Sequence, residues 1–203
     1  MIKNIIFDIG NTLLSFDPME YLEKKFGNEE TVNTLYETIF KSPEWQSLDR
    51  GTISQEEAVM RFCSRQPSLE KEIKCIMGNW SEILIPMEES ITLLGYLKSS
   101  GCRIYLLSNF HETAFEYIYN KFSFIKEADG MVISCRVKLL KPEKEIYELL
   151  LNKYSLEPEE CVFIDDFDKN IEAARELGIH GICFKDAKSV YEYVDKLNEE
   201  QAS

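Results

Sequence analysis

Positive charge is scarce in this sequence: 23 Lys and Arg stand against 36 Asp and Glu, a formal net charge of −13. Neutralising a nucleic-acid backbone or an anionic bilayer takes clustered basic side chains, so both are disfavoured as partners. Long apolar runs are missing too. No stretch of about 18 apolar residues occurs, and no charged segment followed by an apolar one opens the chain, which argues against a membrane span and a secretory leader. The six cysteines (Cys63, Cys75, Cys102, Cys135, Cys161, Cys183) show no close pairing. That spacing excludes a zinc knuckle or redox dithiol, and several of them sit in apolar runs where Cys acts as a small hydrophobe. A reduced, cytoplasmic, soluble protein is the simplest expectation. Internal repeats, low-complexity tracts and long linkers are also lacking.

What is there suits one core with an insert: 203 residues, 44% of them apolar. The stretch from Ile5 to Leu13 organises the rest. Its apolar run ends on Asp8 and passes straight into Gly10-Asn11-Thr12, which reads as a buried strand followed by a turn. In an open α/β sheet ligands sit beyond the carboxyl ends of the strands, so an acid at that point faces a site. The Gly-Asn pair is expected to let the backbone turn sharply and present amides to an anion.

From Ser15 to about Pro86 the patterns are helical only. Asp17 followed by Pro18 looks like a cap and a first helical residue. Val32, Leu35, Tyr36, Ile39 and Phe40 form an apolar stripe, and Ser54 with Glu57 fits a capping box. Another helix is expected from Ser68 to about Trp80. After Met87, strand and helix alternate. Strands are expected at Arg103–Leu107, Gly130–Ser134, Cys161–Ile164 and Ile179–Phe184, and helices from Met87, His111, Pro142, Asp168 and Val190. The polar tail from Asn198 is expected to fray. This alternation predicts an α/β fold, a parallel sheet with helices on both faces.

Three later stretches echo the first: Leu106-Leu107-Ser108-Asn109, then Lys141-Pro142, then Phe163-Ile164-Asp165-Asp166. With Asp8 in the lead, the chain resembles the haloacid dehalogenase-like hydrolase superfamily over nearly its whole length. That family's first motif is Asp-x-Asp-x-Thr, its second a Ser or Thr closing a strand, its third a Lys and its fourth an acidic pair. The resemblance implies a Rossmann-like doubly wound parallel sheet (residues 1–14 and 87–203) with an inserted all-helical cap domain (residues 15–86). The turn Asp49-Arg50-Gly51-Thr52-Ile53-Ser54 is similar to the cap's substrate-facing loop, which makes Arg50 either a substrate contact or a solvated turn residue.

If the sheet edge gathers Asp8, Ser108, Asn109, Lys141, Asp165 and Asp166, three carboxylates share one pocket. They repel one another and resist ionising unless cations intervene. Lys141 offsets one of them; a hard divalent ion such as Mg²⁺ suits the rest. The expected metal ligands are Asp8, one or both of Asp165 and Asp166, and the carbonyl of Gly10. The implied reaction is phosphoryl transfer to Asp8, with Lys141 offsetting charge on the phosphoryl oxygens, Ser108 and the amides near Ile9, Gly10 and Asn109 donating to them, and Asn11 a further substrate-binding residue. The implied substrate is a small phosphorylated metabolite, with sugar phosphates the leading class. The protein is expected to be a monomer or weak homodimer.

One departure stands out. The family's second acid, which protonates the leaving oxygen and activates water, falls on Gly10 here. A branch of the family with Asp-x-Gly-Asn in this motif, where sugar-phosphate phosphatases are placed, resembles the chain closely. A metal-free 2-haloacid dehalogenase also lacks that acid, but its relatives carry Ser in place of the Asp165-Asp166 pair. A silent fold that binds a phosphometabolite or a protein is the alternative of another class. Arg136 and Lys138 either serve the phosphate site or are solvated, and Asn170 is a candidate to orient the acidic pair.

Overall fold

The computed structural model describes residues 1–202. The chain opens with strand β1 (Asn4–Phe7) and a tight loop, then β2 (Leu14–Ser15). Helices α1 (Pro18–Phe26), α2 (Glu29–Ile39), α3 (Pro43–Arg50), α4 (Gln55–Arg65) and α5 (Glu70–Asn79) follow, with short 3₁₀ turns flanking α5. Strand β3 (Ile85–Pro86) returns the chain to α6 (Glu88–Ser99) and β4 (Arg103–Ser108). Next come α7 (Glu112–Lys121), α8 (Ser123–Lys126), β5 (Gly130–Ile133), α9 (Ser134–Val137) and α10 (Lys144–Tyr154). The last elements are β6 (Cys161–Asp165), α11 (Asp168–Glu176), β7 (His180–Cys183) and α12 (Ala187–Ala202).

Five strands form a parallel sheet in the order β5-β4-β1-β6-β7. β1 therefore lies in the middle, and the order reverses around it. Alternate residues divide between two buried clusters, as strand geometry requires. Ile5 and Phe7 join Leu106, Ile164 and the faces of α6, α7 and α12; Ile6 joins Leu107, Phe163 and the faces of α10 and α11. The first cluster continues without a break into the helical insert through Leu22, Leu35, Phe62, Ile73 and Trp80.

The insert's helices start where the sequence signals them. Asp17 accepts from Glu20 N at 2.9 Å with Pro18 at the first position, and Ser54 accepts from Glu57 N at 3.1 Å. Asn28 and Ser42 cap α2 and α3 in the same way. The insert is entered and left through an antiparallel ribbon that pairs Leu14 with Pro86 and Ser15 with Ile85. Two residues per strand are too few to carry an alternating pattern, so this ribbon replaces the purely helical reading at the ends of the insert.

Elsewhere α10 starts at Lys144, two residues later than its Pro142 suggested, because residues 141–142 form a turn. The tail expected to fray continues α12 through Ala202, with Ile2 N donating to Asn198 Oδ1 at 2.9 Å; Ser203 lies outside the described residues. Among the described residues no helix is long and apolar enough to cross a membrane. All six cysteines are free.

Candidate active site at the sheet edge

Register brings the sequence-singled acids together. Phe7 pairs with Leu106 on one side and Ile164 on the other, so Asp8 leaves β1 beside the ends of β4 and β6. Asp8 N donates to Ile164 O at 2.9 Å, which fixes the backbone there. Ser108 Oγ donates to Asp8 Oδ1 at 2.6 Å. Lys141 Nζ lies 2.7 Å from the same oxygen and 2.6 Å from Asp165 Oδ2. Asp165, fully buried, also accepts from Phe167 N at 2.9 Å and from Asn170 Nδ2 at 3.0 Å on each oxygen. Asn170 thus orients Asp165 from the first turn of α11. Asn109 holds the Lys141 backbone from both sides, its Nδ2 donating to Lys141 O at 3.0 Å and its Oδ1 accepting from Lys141 N at 2.9 Å.

The turn after Asp8 differs from its expected form. The left-handed residue is Asn11, with φ 50°, while Gly10 keeps an ordinary φ. Asn11 tolerates that conformation because its short side chain bonds locally: Oδ1 accepts from Phe16 N at 2.9 Å. Leu13 N and Leu14 N both donate to Ile9 O at 2.9 Å, closing the loop. Gly10 is therefore not needed for the turn, and a Cβ at that position would meet nothing within 4 Å.

Crowding sets the electrostatics. Ligand atoms of Asp8, Asp165 and Asp166 lie within 4.8 Å of one another, with Asp8 and Asp165 buried and Asp166 exposed. Burial raises the Asp8 carboxyl pKa, Lys141 opposes it, and Asp165 adds to it. Burial and the neighbouring Asp165 raise Asp166 as well. Burial works against the Lys141 ammonium, but Asp8 and Asp165 outweigh it and hold its pKa above the usual lysine value. Three carboxylates against one ammonium leave an excess of negative charge. Oxygen donors at that spacing, with that excess, fit a hard divalent cation.

The insert is sewn to the sheet domain beside this edge. Gly51, with φ 67°, ends α3 pressed against the Cys135 carbonyl, where any Cβ would collide. Arg50 Nη1 donates to Lys138 O at 3.1 Å and to Glu143 Oε2 at 3.0 Å, and its Nη2 pairs with Glu143 Oε1. Lys138 Nζ donates to Gly51 O and to Cys135 O, and Arg136 pairs with Glu112. Arg50, Arg136 and Lys138 thus join segments to one another across this seam, and none of the three lines the cavity described next.

That cavity, about 130 Å³, is bounded by Gly10 and Asn109 at the sheet edge and by Phe16, Trp45, Asp49, Trp80, Leu84, Phe110 and His111 around them. Trp45 packs on Trp80 with ring centres 4.8 Å apart and on His111 at 4.2 Å. His111 is buried, and its Nε2 lies 3.2 Å from Asp49 Oδ1. Burial among the rings, then the nearby Asp8 charge, push the Asp49 carboxyl up to about 8, while burial pushes His111 down to about 3. Neither residue was singled out from the sequence. Asp49 lay beside the more conspicuous Arg50, and His111 read as the start of α7. A usable signal was present, since the chain has only two histidines and one of them closely follows Ser108-Asn109.

A family model described as haloacid dehalogenase-like hydrolase matches residues 2–178. The sesquiterpene phosphatase astK of Aspergillus oryzae is 26% identical over 185 residues, 91% of this chain and 91% of that protein. The D-ribitol-5-phosphate phosphatase of Bacteroides thetaiotaomicron is 26% identical over 190 residues, 88% of this chain and 89% of that one. A HAD family enzyme of known structure, also from Bacteroides thetaiotaomicron, superposes with a TM-score of 0.73 at 25% identity, covering 91% of this chain and 94% of its own. Its magnesium complex superposes at 0.67, again at 25% identity over 91% of this chain and 94% of its own.

Proposed function

This chain belongs to the haloacid dehalogenase-like hydrolases, and from that premise we propose that it hydrolyses the phosphate monoester of a small metabolite, with Asp8 as nucleophile. The observation that carries the reading is the convergence of Asp8, Asp165 and Asp166 within 4.8 Å around a single buried Lys141. Asp8, Asp165, Asp166 and the Gly10 carbonyl are the groups that would hold Mg²⁺, which when bound offsets negative charge on the phosphoryl oxygens.

The chain's own groups supply the rest. Ser108 and Lys141 hold Asp8 by one oxygen, leaving the other to attack phosphorus. The P–O bond to the leaving group breaks as the aspartyl-phosphate forms, and water then releases phosphate and restores Asp8. The amides of Gly10 and Asn109 would bind the phosphoryl oxygens, whereas the Asn11 amide is spent on Leu14 O at 2.7 Å. Residues 15–86, whose Trp45 and Trp80 rings pack on His111, act as the cap that excludes water.

A sugar or alditol phosphate is the substrate class we favour. Relatives named for D-ribitol 5-phosphate and sesquiterpene substrates share nearly the whole chain, and the Phe16, Trp45 and Trp80 rings in the cavity wall suit the apolar part of a sugar or alditol. A cytoplasmic, monomeric or weakly dimeric protein with free cysteines completes the proposal.

The test is phosphate release from p-nitrophenyl phosphate and from a panel of phosphorylated metabolites, with and without Mg²⁺. Release that needs Mg²⁺ and drops by on the order of 10⁴-fold or more in Asp8→Asn supports the reading. No release from any ester, with Mg²⁺ present, sinks it in favour of a binding module.

A further inference from the structure

Expelling an alkoxide from an alkyl phosphate requires a proton donor, and position 10 offers none. The space there is open, since a Cβ on Gly10 would meet nothing within 4 Å. Across the same cavity stands Asp49, at the end of α3, with one-fifth of its side chain exposed. No hydrogen bond or ion pair joins its carboxyl group to Asp8, Asp165 or Asp166 among the described residues.

Asp49 is held in place from two directions. Ser134 Oγ donates to Asp49 O and accepts from Phe110 N at 2.9 Å, so the backbone of the cap residue is tied to the loop that follows β4. His111 Nε2 stands 3.2 Å from Asp49 Oδ1, and its ring is wedged between Trp45 at 4.2 Å and Trp80 at 5.1 Å. Neither ring nitrogen of His111 makes an aligned hydrogen bond with the protein. The Trp45 backbone favours a proton on this buried imidazole, and the Asp49 carboxyl group in the cavity wall stands directly before its Nε2.

We propose that Asp49, delivered by the helical insert, is the general acid–base residue whose place at position 10 is vacant, and that His111 is its positioning residue. The inference rests on the phosphatase reading above. In the first half-reaction an Asp8 oxygen bonds to phosphorus, the P–O bond to the leaving group breaks, and the Asp49 proton passes to the departing oxygen. In the second, the Asp49 carboxylate takes a proton from water as the water oxygen bonds to phosphorus. The bond from phosphorus to Asp8 then breaks, releasing phosphate with Asp8 ionised and Asp49 protonated again. Because the acid rides on the insert, chemistry on poor leaving groups requires the insert to be closed.

The experiment compares kcat/KM for p-nitrophenyl phosphate, whose phenolate leaves without a proton, and for an alkyl phosphate that the wild type hydrolyses. Asp49→Asn should lose about 10²–10⁴-fold on the alkyl ester and less than about tenfold on the aryl ester. Retained action on the aryl ester also shows that the variant folds. With the second half-reaction slowed, that variant should release a burst of nitrophenol before the steady state. His111→Phe, which keeps a ring between the tryptophans, should lose activity selectively on the alkyl ester. Equal losses on both esters, or no loss on the alkyl ester, would overturn the assignment of Asp49 while leaving the phosphatase reading intact. Equal losses in His111→Phe would reduce His111 to packing. A wild type inactive on both classes removes the phosphatase reading and this inference with it.

Discussion

One set of acids stands on the sheet edge and the other is carried by the insert, and the two are held by opposite means. Asp8 and Asp165 share the Lys141 ammonium and accept from Ser108, Asn170 and the Phe167 amide. Asp49 faces a neutral imidazole and indole rings, and Lys141 offsets only part of what burial and Asp8 do to it. The contrast separates two chemical tasks. A nucleophile has to be ionised, so it sits where cations gather. A proton donor has to keep its proton near neutral pH, so it sits where burial and a like charge discourage ionisation.

The sharpest way to break the contrast is to remove its cation. Lys141→Ala leaves Asp8 and Asp165 buried without compensation and should cost about 3–5 kcal/mol of stability. Urea unfolding measures this, and added Mg²⁺ should recover part of the loss if the three carboxylates hold the ion. Recovery by Na⁺ at equal ionic strength would point to screening instead.

A smaller effect separates the Asp49 environment. Its folded pKa, about 8, lies above the ordinary carboxylate value of about 3.9 in the unfolded chain. The folded state then binds the extra proton, so the stability it contributes is complete below about pH 4 and is lost as pH rises towards 8. Asp49→Asn should flatten that decline, leaving the variant about 1–3 kcal/mol more stable than wild type at pH 8 and nearly equal to it at pH 4. Denaturant midpoints across the range provide the comparison. An identical pH dependence in the two proteins contradicts the environment described for Asp49.

The smallest effect belongs to the seam. The Arg50–Glu143 pair is one-third exposed on each side, so Arg50→Ala should cost no more than about 1 kcal/mol. Its clearer readout is a few-fold rise in KM with kcat little changed, as the insert closes less tightly. A loss of kcat instead would mean that Arg50 reaches the substrate.

The sheet edge was legible because each of its acids ends an apolar run, and parallel register then leaves few ways to arrange those ends. Asp8, Ser108, Lys141 and Asp165 meet as their order implied, and Asn170 reaches Asp165 from the following helix. Caps with a side-chain mechanism, such as Asp17 before Pro18 and Ser54 before Glu57, were legible for the same local reason. Illegible were features decided by distant contacts. Glu143 accepts from Leu140 N and from Arg50, which helps set the turn ahead of α10 and delays the helix past Pro142. Positive φ fell on Asn11 and not on Gly10, since the Phe16 amide is there to satisfy the asparagine. Asp49 and His111 meet only because the Gly51 turn packs on the loop after β4, and no periodicity in either segment announces that contact. Arg50 drew attention by its charge, yet its neighbour lines the cavity.

Asp8 as the residue that takes up the phosphoryl group is the claim on which everything else rests. Mixing the protein with an activated phosphate ester and Mg²⁺, quenching in acid within the first turnover and mapping the modified peptide by mass spectrometry tests it directly. The expected result is one phosphoryl group on Asp8, absent from Asp8→Asn and removed by hydroxylamine. Turnover without any labelled peptide, or with the label on another residue, would contradict it.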